Sequence, residues 1–154
     1  MTLPVEVAVM IQPRRVAEGL GGYSVLRRRV RSMRDLEDAV QHGLPRSALL
    51  KVTQRLCGGD TRAQRALMLR VVPEATLRRR GRYLTPRESE RTERLARVMA
   101  LAEDVLGTLD DARAFLGTAH GRLGGRRPLD AALTELGARQ VEEILHSIEY
   151  GLPV

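Results

Sequence analysis

From Ser32 onward the apolar positions recur at helical spacing. Met33, Leu36, Ala39 and Val40 share one face, with Asp35, Glu37 and Asp38 on the other. Gly43-Leu44-Pro45 ends this segment and opens the next. The second helix, about Arg46 to Leu56, turns Leu49, Val52 and Leu56 inward and stops at Gly58-Gly59. Asp60 or Thr61 caps a third helix, roughly Arg62 to Val71, with Ala63, Ala66 and Leu67 in register. Val72-Pro73 forces a turn into a short fourth helix, Pro73 to Arg80, with Leu77 inward and Thr76, Arg78, Arg79 and Arg80 largely outward. Two short helices joined by a tight turn, the second basic and lightly hydrophobic, read as a helix-turn-helix.

The next segment carries a full capping box. In Thr85-Pro86-Arg87-Glu88 the threonine hydroxyl can accept from the Glu88 amide, and Glu88 can reach back to the Thr85 amide. The spacing predicts a long helix from there to about Leu106, with Leu95, Val98, Met99, Ala102 and Leu106 inward. A short helix follows over Leu109–Leu116, favoured by Asp110 and Asp111 at its positive end. After a glycine-rich turn, Pro128-Leu129-Asp130 predicts one or two helical turns. A last helix is expected over about Gly137–Tyr150, with Val141, Ile144, Leu145 and Ile148 as its apolar stripe. Residues 1–31 have no such pattern. Val5–Ile11 could form a short strand, but no partner strand is evident, and the stretch is expected to be an arm, mobile or pinned only in part.

Composition supports helices packed on helices. Hydrophobic residues make up 43% of the 154, but aromatics only 3%, so the core must come from Leu, Val, Ala, Ile and Met. That set suits interlocking helices better than a β-sandwich. A single cysteine, Cys57, excludes an intrachain disulfide and gives no sign of an oxidising compartment. The first residues lack a charged segment before their apolar run, and no apolar stretch approaches the roughly 20 residues of a membrane span. A soluble, cytoplasmic protein is the expectation.

The net charge of +7 is unevenly spread. Residues 1–97 hold 21 Arg or Lys against 10 Asp or Glu, whereas residues 98–154 hold 5 against 9. A basic first part and a mildly acidic second part suggest two partners, nucleic acid for the one and protein for the other. Arg78, Arg79, Arg80 and Arg82 follow the turn directly, with no acid between Ala75 and Pro86. Arginine forks can grip phosphates or read guanine edges, and Thr76 can touch a phosphate or a thymine methyl, so these five residues are the candidate DNA contacts.

The second half carries a series of motifs: Leu84-Thr85-Pro86-Arg87-Glu88-Ser89-Glu90-Arg91, Arg94-Leu95-Ala96-Arg97, Leu123-Gly124-Gly125-Arg126-Arg127-Pro128-Leu129-Asp130, Leu136-Gly137-Ala138-Arg139-Gln140-Val141-Glu142 and Ile148-Glu149-Tyr150-Gly151-Leu152-Pro153-Val154. In these the chain resembles the Xre/MbcA/ParS antitoxins, strongly over Leu84–Val154, more weakly over Ser32–Gly81 and not over the first thirty residues. Phe115-Leu116 stands where the family often has Trp-Leu, which keeps most of the apolar volume and loses the indole donor.

The resemblance implies an all-α fold with three parts. These are a variable arm over 1–31, a Cro/Xre-like helix-turn-helix over 32–83 and a helical toxin-binding module over 84–154. It implies a RES-domain toxin as partner, which degrades NAD or transfers ADP-ribose from it, and a chain that covers the entrance to that toxin's NAD pocket. It also implies operator DNA as a second partner, repression of its own operon, and a homodimer within the toxin complex.

Arg139, Glu142, Glu149, Tyr150, Leu152, Pro153 and Val154 are then the candidate toxin contacts. The apolar end stiffened by Pro153 suits a plug, and a carboxylate at Val154 could imitate a dinucleotide phosphate. The alternative is a stand-alone helix-turn-helix regulator whose C-terminal module only dimerises.

No chemistry competes with a binding role. His42, His120 and His146 are far apart with no ligand-like neighbours at metal spacing. Gly121–Gly125 has no preceding strand and no Lys-Ser/Thr to make a phosphate loop. The adjacent pairs Asp110-Asp111 and Glu142-Glu143 diverge around their helices and cannot converge on one reacting atom. No enzyme activity, cofactor or metal is expected.

Overall fold

The computed structural model describes residues 11–79 and 81–153. Among them the chain forms ten α-helices, one 3-10 turn (Gly121–Leu123) and no strand. The helices are α1 (Pro13–Gly19), α2 (Gly22–Leu26), α3 (Met33–His42), α4 (Arg46–Cys57), α5 (Thr61–Val71), α6 (Glu74–Arg79), α7 (Pro86–Leu106), α8 (Leu109–Gly117), α9 (Pro128–Ala131) and α10 (Glu135–Glu149). None of the described helices is long and apolar enough to cross a membrane.

The starts are set locally, by side chains that answer the unpaired amides of a first turn. Ser32 and Thr85 each complete a capping box, with Asp35 and Glu88 as the reciprocal partners. Asp60, Thr108 and Thr134 cap α5, α8 and α10 by accepting from the amide three residues on.

α7 is the organising element. It is packed by α1, α3 and α4 from the first half of the chain and by α8 and α10 from the second. Leu95, Val98, Met99, Leu101 and Ala102 are buried along it. The buried side chains of both halves form one cluster. The expected boundary between residues 83 and 84 therefore falls at the entry to a helix that both halves share.

The expected arm is corrected over residues 13–26, which form α1 and α2. Val16 and Leu20 are buried, and α1 lies along α7. Two helical turns before Gly19 are too short a window for periodicity to register. The expected strand falls, apart from Ile11, on residues outside those described; Ile11 itself packs against the core. The last helix starts two residues earlier than expected, because Thr134 and not Gly137 opens it.

Candidate functional site

The basic end of the molecule is held by backbone pairing across a long sequence gap. The Arg46 amide donates to the Arg82 carbonyl and the Leu84 amide to the Leu44 carbonyl, each at 2.8 Å. Pro45 and Tyr83 thereby form an antiparallel bridge. The Leu44 amide donates to the buried Ser89 hydroxyl of α7, 2.8 Å away. α6 is tied to the same frame by the Arg46 guanidinium, which donates to the Leu77 carbonyl at 3.3 Å. The Arg91 guanidinium holds the end of α5 through the Val71 carbonyl at 3.2 Å. Leu77 is buried under α6.

On this frame Arg78, Arg79 and Arg82 are exposed and Thr76 is half-buried; Arg80 lies outside the described residues. Their electrostatic settings differ. Arg78 lies 3.1 Å from Glu74, one helical turn back, and Arg65 reaches the same carboxylate at 2.7 Å. Glu74 sits just outside the acid-free stretch, and its i,i+4 spacing to Arg78 was the sequence signal of this pair. Arg79 makes no hydrogen bond or ion pair to the described residues, and the Arg82 guanidinium stands over the Tyr83 ring at 5.9 Å. Of the candidate DNA contacts among the described residues, Arg79 and Arg82 are thus the cations whose charge no carboxylate shares.

The other candidate surface is built on α10. Val141, Ile144 and Leu145 are buried and Ile148 is half-buried, so the apolar stripe is core. The helix ends in a Schellman closure. The Gly151 amide bonds the Ile148 carbonyl at 3.1 Å and the Leu152 amide bonds the Ser147 carbonyl at 2.8 Å. Gly151 adopts φ +66°, the left-handed conformation this closure requires. Leu152 is therefore held by its backbone while its side chain is 57% exposed, beside an equally exposed Tyr150 and an exposed Pro153. Val154 lies outside the described residues.

The remaining candidates separate. Arg139 is exposed and 3.6 Å from Glu135. Glu149 is 3.7 Å from the His146 Nδ1. Glu142 turns inward and accepts from the Arg97 Nε of α7 at 2.6 Å. At about 100° per residue, Leu136, Arg139, Glu143 and Tyr150 fall within an arc of about 60° on the outward side of α10, and Glu142 does not. Leu136 was missed by the sequence reasoning, and at 72% it is the most exposed large apolar side chain among the described residues. Its signal was available, because it lies about 140° from the stripe centred on Val141.

Arg97 anchors a charged cluster between α7 and α10. Besides Glu142 it lies 3.2 Å from Glu93 and 3.5 Å from Glu135. Burial raises the Glu93 carboxyl above its usual range, with Arg97 opposing and the two other carboxylates adding to the rise. Desolvation works against the Arg97 charge, yet Glu93 and Glu142 hold it protonated above its ordinary value. A carboxyl raised in this way penalises the native state while ionised, and that penalty disappears as pH falls through its native pKa. Glu93→Gln is therefore expected to be at least as stable as the parent at neutral pH. Denaturant midpoints measured across a pH series should show the parent gaining on the variant as the solution is acidified.

A second ionic junction joins the halves. Asp130 accepts from Arg127 Nε at 2.7 Å and from Arg70 of α5, and the Arg127 hydrogen bond above all holds its carboxyl below the usual range. Among the described residues no group of three His, Cys, Asp or Glu side chains could hold a metal. His42 Nδ1 contacts the Asp38 carbonyl at 2.7 Å, and His120 Nδ1 accepts from the Arg122 amide at 3.2 Å. Burial pushes the Cys57 thiol up, away from the reactive thiolate. Phe115, half-buried against the core, meets the His120 ring edge-on with centroids 6.2 Å apart.

Comparison with known proteins bears on these surfaces. Residues 101–151 match the family described as the antitoxin Xre/MbcA/ParS C-terminal toxin-binding domain. An Antitoxin Xre of Pseudomonas putida is 30% identical over 142 residues, covering 84% of this chain and 86% of that protein. An Antitoxin Xre of Yersinia enterocolitica is 38% identical over 87 residues, covering 53% of this chain and 57% of that one.

Proposed function

Because the chain belongs to the Xre/MbcA/ParS antitoxin family, we propose that its toxin is a RES-domain protein that consumes NAD, and that the chain also represses its own operon. In this reading residues 84–154 occlude the toxin's active site and residues 32–83 bind operator DNA, with a homodimer engaging two half-sites. The protein is a binding partner and not an enzyme.

The observation that carries the toxin reading is the apolar end of α10. Tyr150, Leu152 and Pro153 project from a backbone fixed by the Schellman closure, within or beside the matched toxin-binding domain. A partner that covers them gains apolar burial without first ordering a loose tail, and pre-organisation of this kind favours tight binding. Leu136 and Arg139 extend the outward face about 20 Å along the helix. The reading expects a neighbouring reading frame that encodes a RES-domain protein, toxic alone and harmless when expressed with this chain. A neighbour that remains toxic in its presence overturns it.

The DNA reading is supported by α5 and α6, two short helices joined at Val72-Pro73, with Arg79 and Arg82 exposed beyond the turn. Replacing Arg78 and Arg79 by alanine is expected to weaken binding to the chain's own upstream DNA. The salt dependence should flatten by about 0.9 in log–log slope for each phosphate no longer neutralised. Arg79 should account for the larger share, since Glu74 already offsets Arg78. Unchanged affinity across a salt titration removes α6 as the recognition helix.

A further inference from the structure

A run of five cations in eight residues, Arg27, Arg28, Arg29, Arg31 and Arg34, belongs to neither surface described above. We propose that this segment, running from the end of α2 into α3, is a second DNA-phosphate grip beside α6. It rests on the reading of α5 and α6 as the DNA-binding helices.

Three observations carry it. The first is missing counter-charge. None of the five guanidinium groups has a carboxylate within ion-pair distance among the described residues, whereas Arg15, Arg55, Arg65, Arg70, Arg97 and Arg127 are each matched to one. The acid nearest in sequence, Asp35, has its Oδ2 engaged by the Arg31 and Ser32 amides at 2.9 and 3.1 Å. Arg28 is half-buried and lies within Coulombic reach of Asp35; Arg27, Arg29, Arg31 and Arg34 are exposed, and their charge faces solvent.

The second is location. Leu26, Arg28, Pro45 and Tyr83 are among the residues that line a cleft of about 280 Å3. Tyr83 is the residue whose ring Arg82 covers and whose backbone is bridged to Pro45. Arg28 therefore shares a cleft with the Pro45–Tyr83 bridge, the same backbone frame to which Arg46 ties α6.

The third is the conformation of Arg27. It closes α2 at φ +56°, with its amide bonded to the Tyr23 carbonyl at 2.9 Å, and is the one non-glycine residue of positive φ among those described. Glycine commonly fills this helix-end position at lower cost. A strained arginine there points to a use for its side chain, and such strain collects at functional sites. Phosphate is the chemistry that five closely spaced, unpaired guanidinium groups recognise, since their forks match its oxygens in pairs.

The test compares Arg27→Gly, the double variant Arg29→Ser/Arg31→Ser and Arg79→Ala with the parent. Each is titrated with the chain's own upstream duplex and with an unrelated duplex over a salt series, with thermal midpoints and toxin co-purification measured in parallel. Arg27→Gly is expected to melt at or above the parent midpoint and yet bind both duplexes several-fold more weakly, its slope reduced by about 0.9 for each phosphate it ceases to neutralise. The double variant should flatten the slope further, and both should retain toxin.

If the loop variants bind both duplexes as the parent does while Arg79→Ala does not, this inference fails and the DNA reading stands. If the parent binds neither duplex, the DNA reading fails and takes the inference with it. Loss of toxin association with DNA binding intact assigns the loop to a protein surface and overturns the proposal.

Discussion

Gly137→Ala is expected to destabilise the chain by about 3 kcal/mol or more, a large effect for the addition of one methyl group. A Cβ at this position would stand 1.9 Å from the Ala131 carbonyl oxygen and 2.8 Å from the Thr134 hydroxyl. The first is backbone, so relief requires α9 and the first turn of α10 to separate. Helix propensity points the other way, since alanine inside a helix gains about 1 kcal/mol over glycine. An approach more than an ångström too short outweighs that gain. The clash also threatens the Thr134 cap, whose hydroxyl accepts from the Gly137 amide at 3.0 Å. Chemical denaturation of the purified variant checks the sign directly. A variant as stable as the parent would mean that α9 and α10 are not packed this closely.

Replacing Tyr150 by alanine together with Leu152 by aspartate is expected to abolish neutralisation while leaving the unfolding midpoint nearly unchanged. Both side chains are more than half exposed, so their removal takes little from the core. At an interface an apolar anchor of this kind is worth about 2 kcal/mol or more, and removing two of them weakens binding by roughly a thousandfold. Aspartate adds the cost of burying an unpaired charge. Growth of cells expressing the toxin with each variant, alongside an affinity measurement, provides the readout. Full rescue by the double variant would remove the α10 tip from the toxin contact.

What the sequence disclosed follows the range of the forces involved. Caps and stripes act over three or four residues, so Ser32, Asp60 and Thr85 were legible as helix starts and the Val141–Ile148 stripe as core. The start of α10 was misjudged because glycine usually marks a boundary. Here Gly137 lies inside the helix, for lack of space against Ala131. In the sequence Glu142 reads as a toxin contact because its partner, Arg97, is 45 residues away and only the packing of α10 on α7 brings them together. α1 was hidden for a similar reason, since its two turns gain their meaning from α7, far along the chain.

The candidate sites were legible in unequal measure. Arginines after a turn announce a basic surface, but which of them keep their charge depends on neighbours such as Glu74 and Tyr83. Leu136 could have been found, as an apolar residue on the wrong side of its own helix. The hold on Leu152 could not, because it needs the bond from its amide to the Ser147 carbonyl.

The most direct measurement is co-purification of the intact, tagged chain with the product of its neighbouring reading frame, followed by assay of that product's NAD consumption. A stable complex with NAD turnover silenced, and turnover restored when the complex is dissociated, is the expected result. A neighbour product that does not associate, or that associates and still turns over NAD at its free rate, contradicts the account.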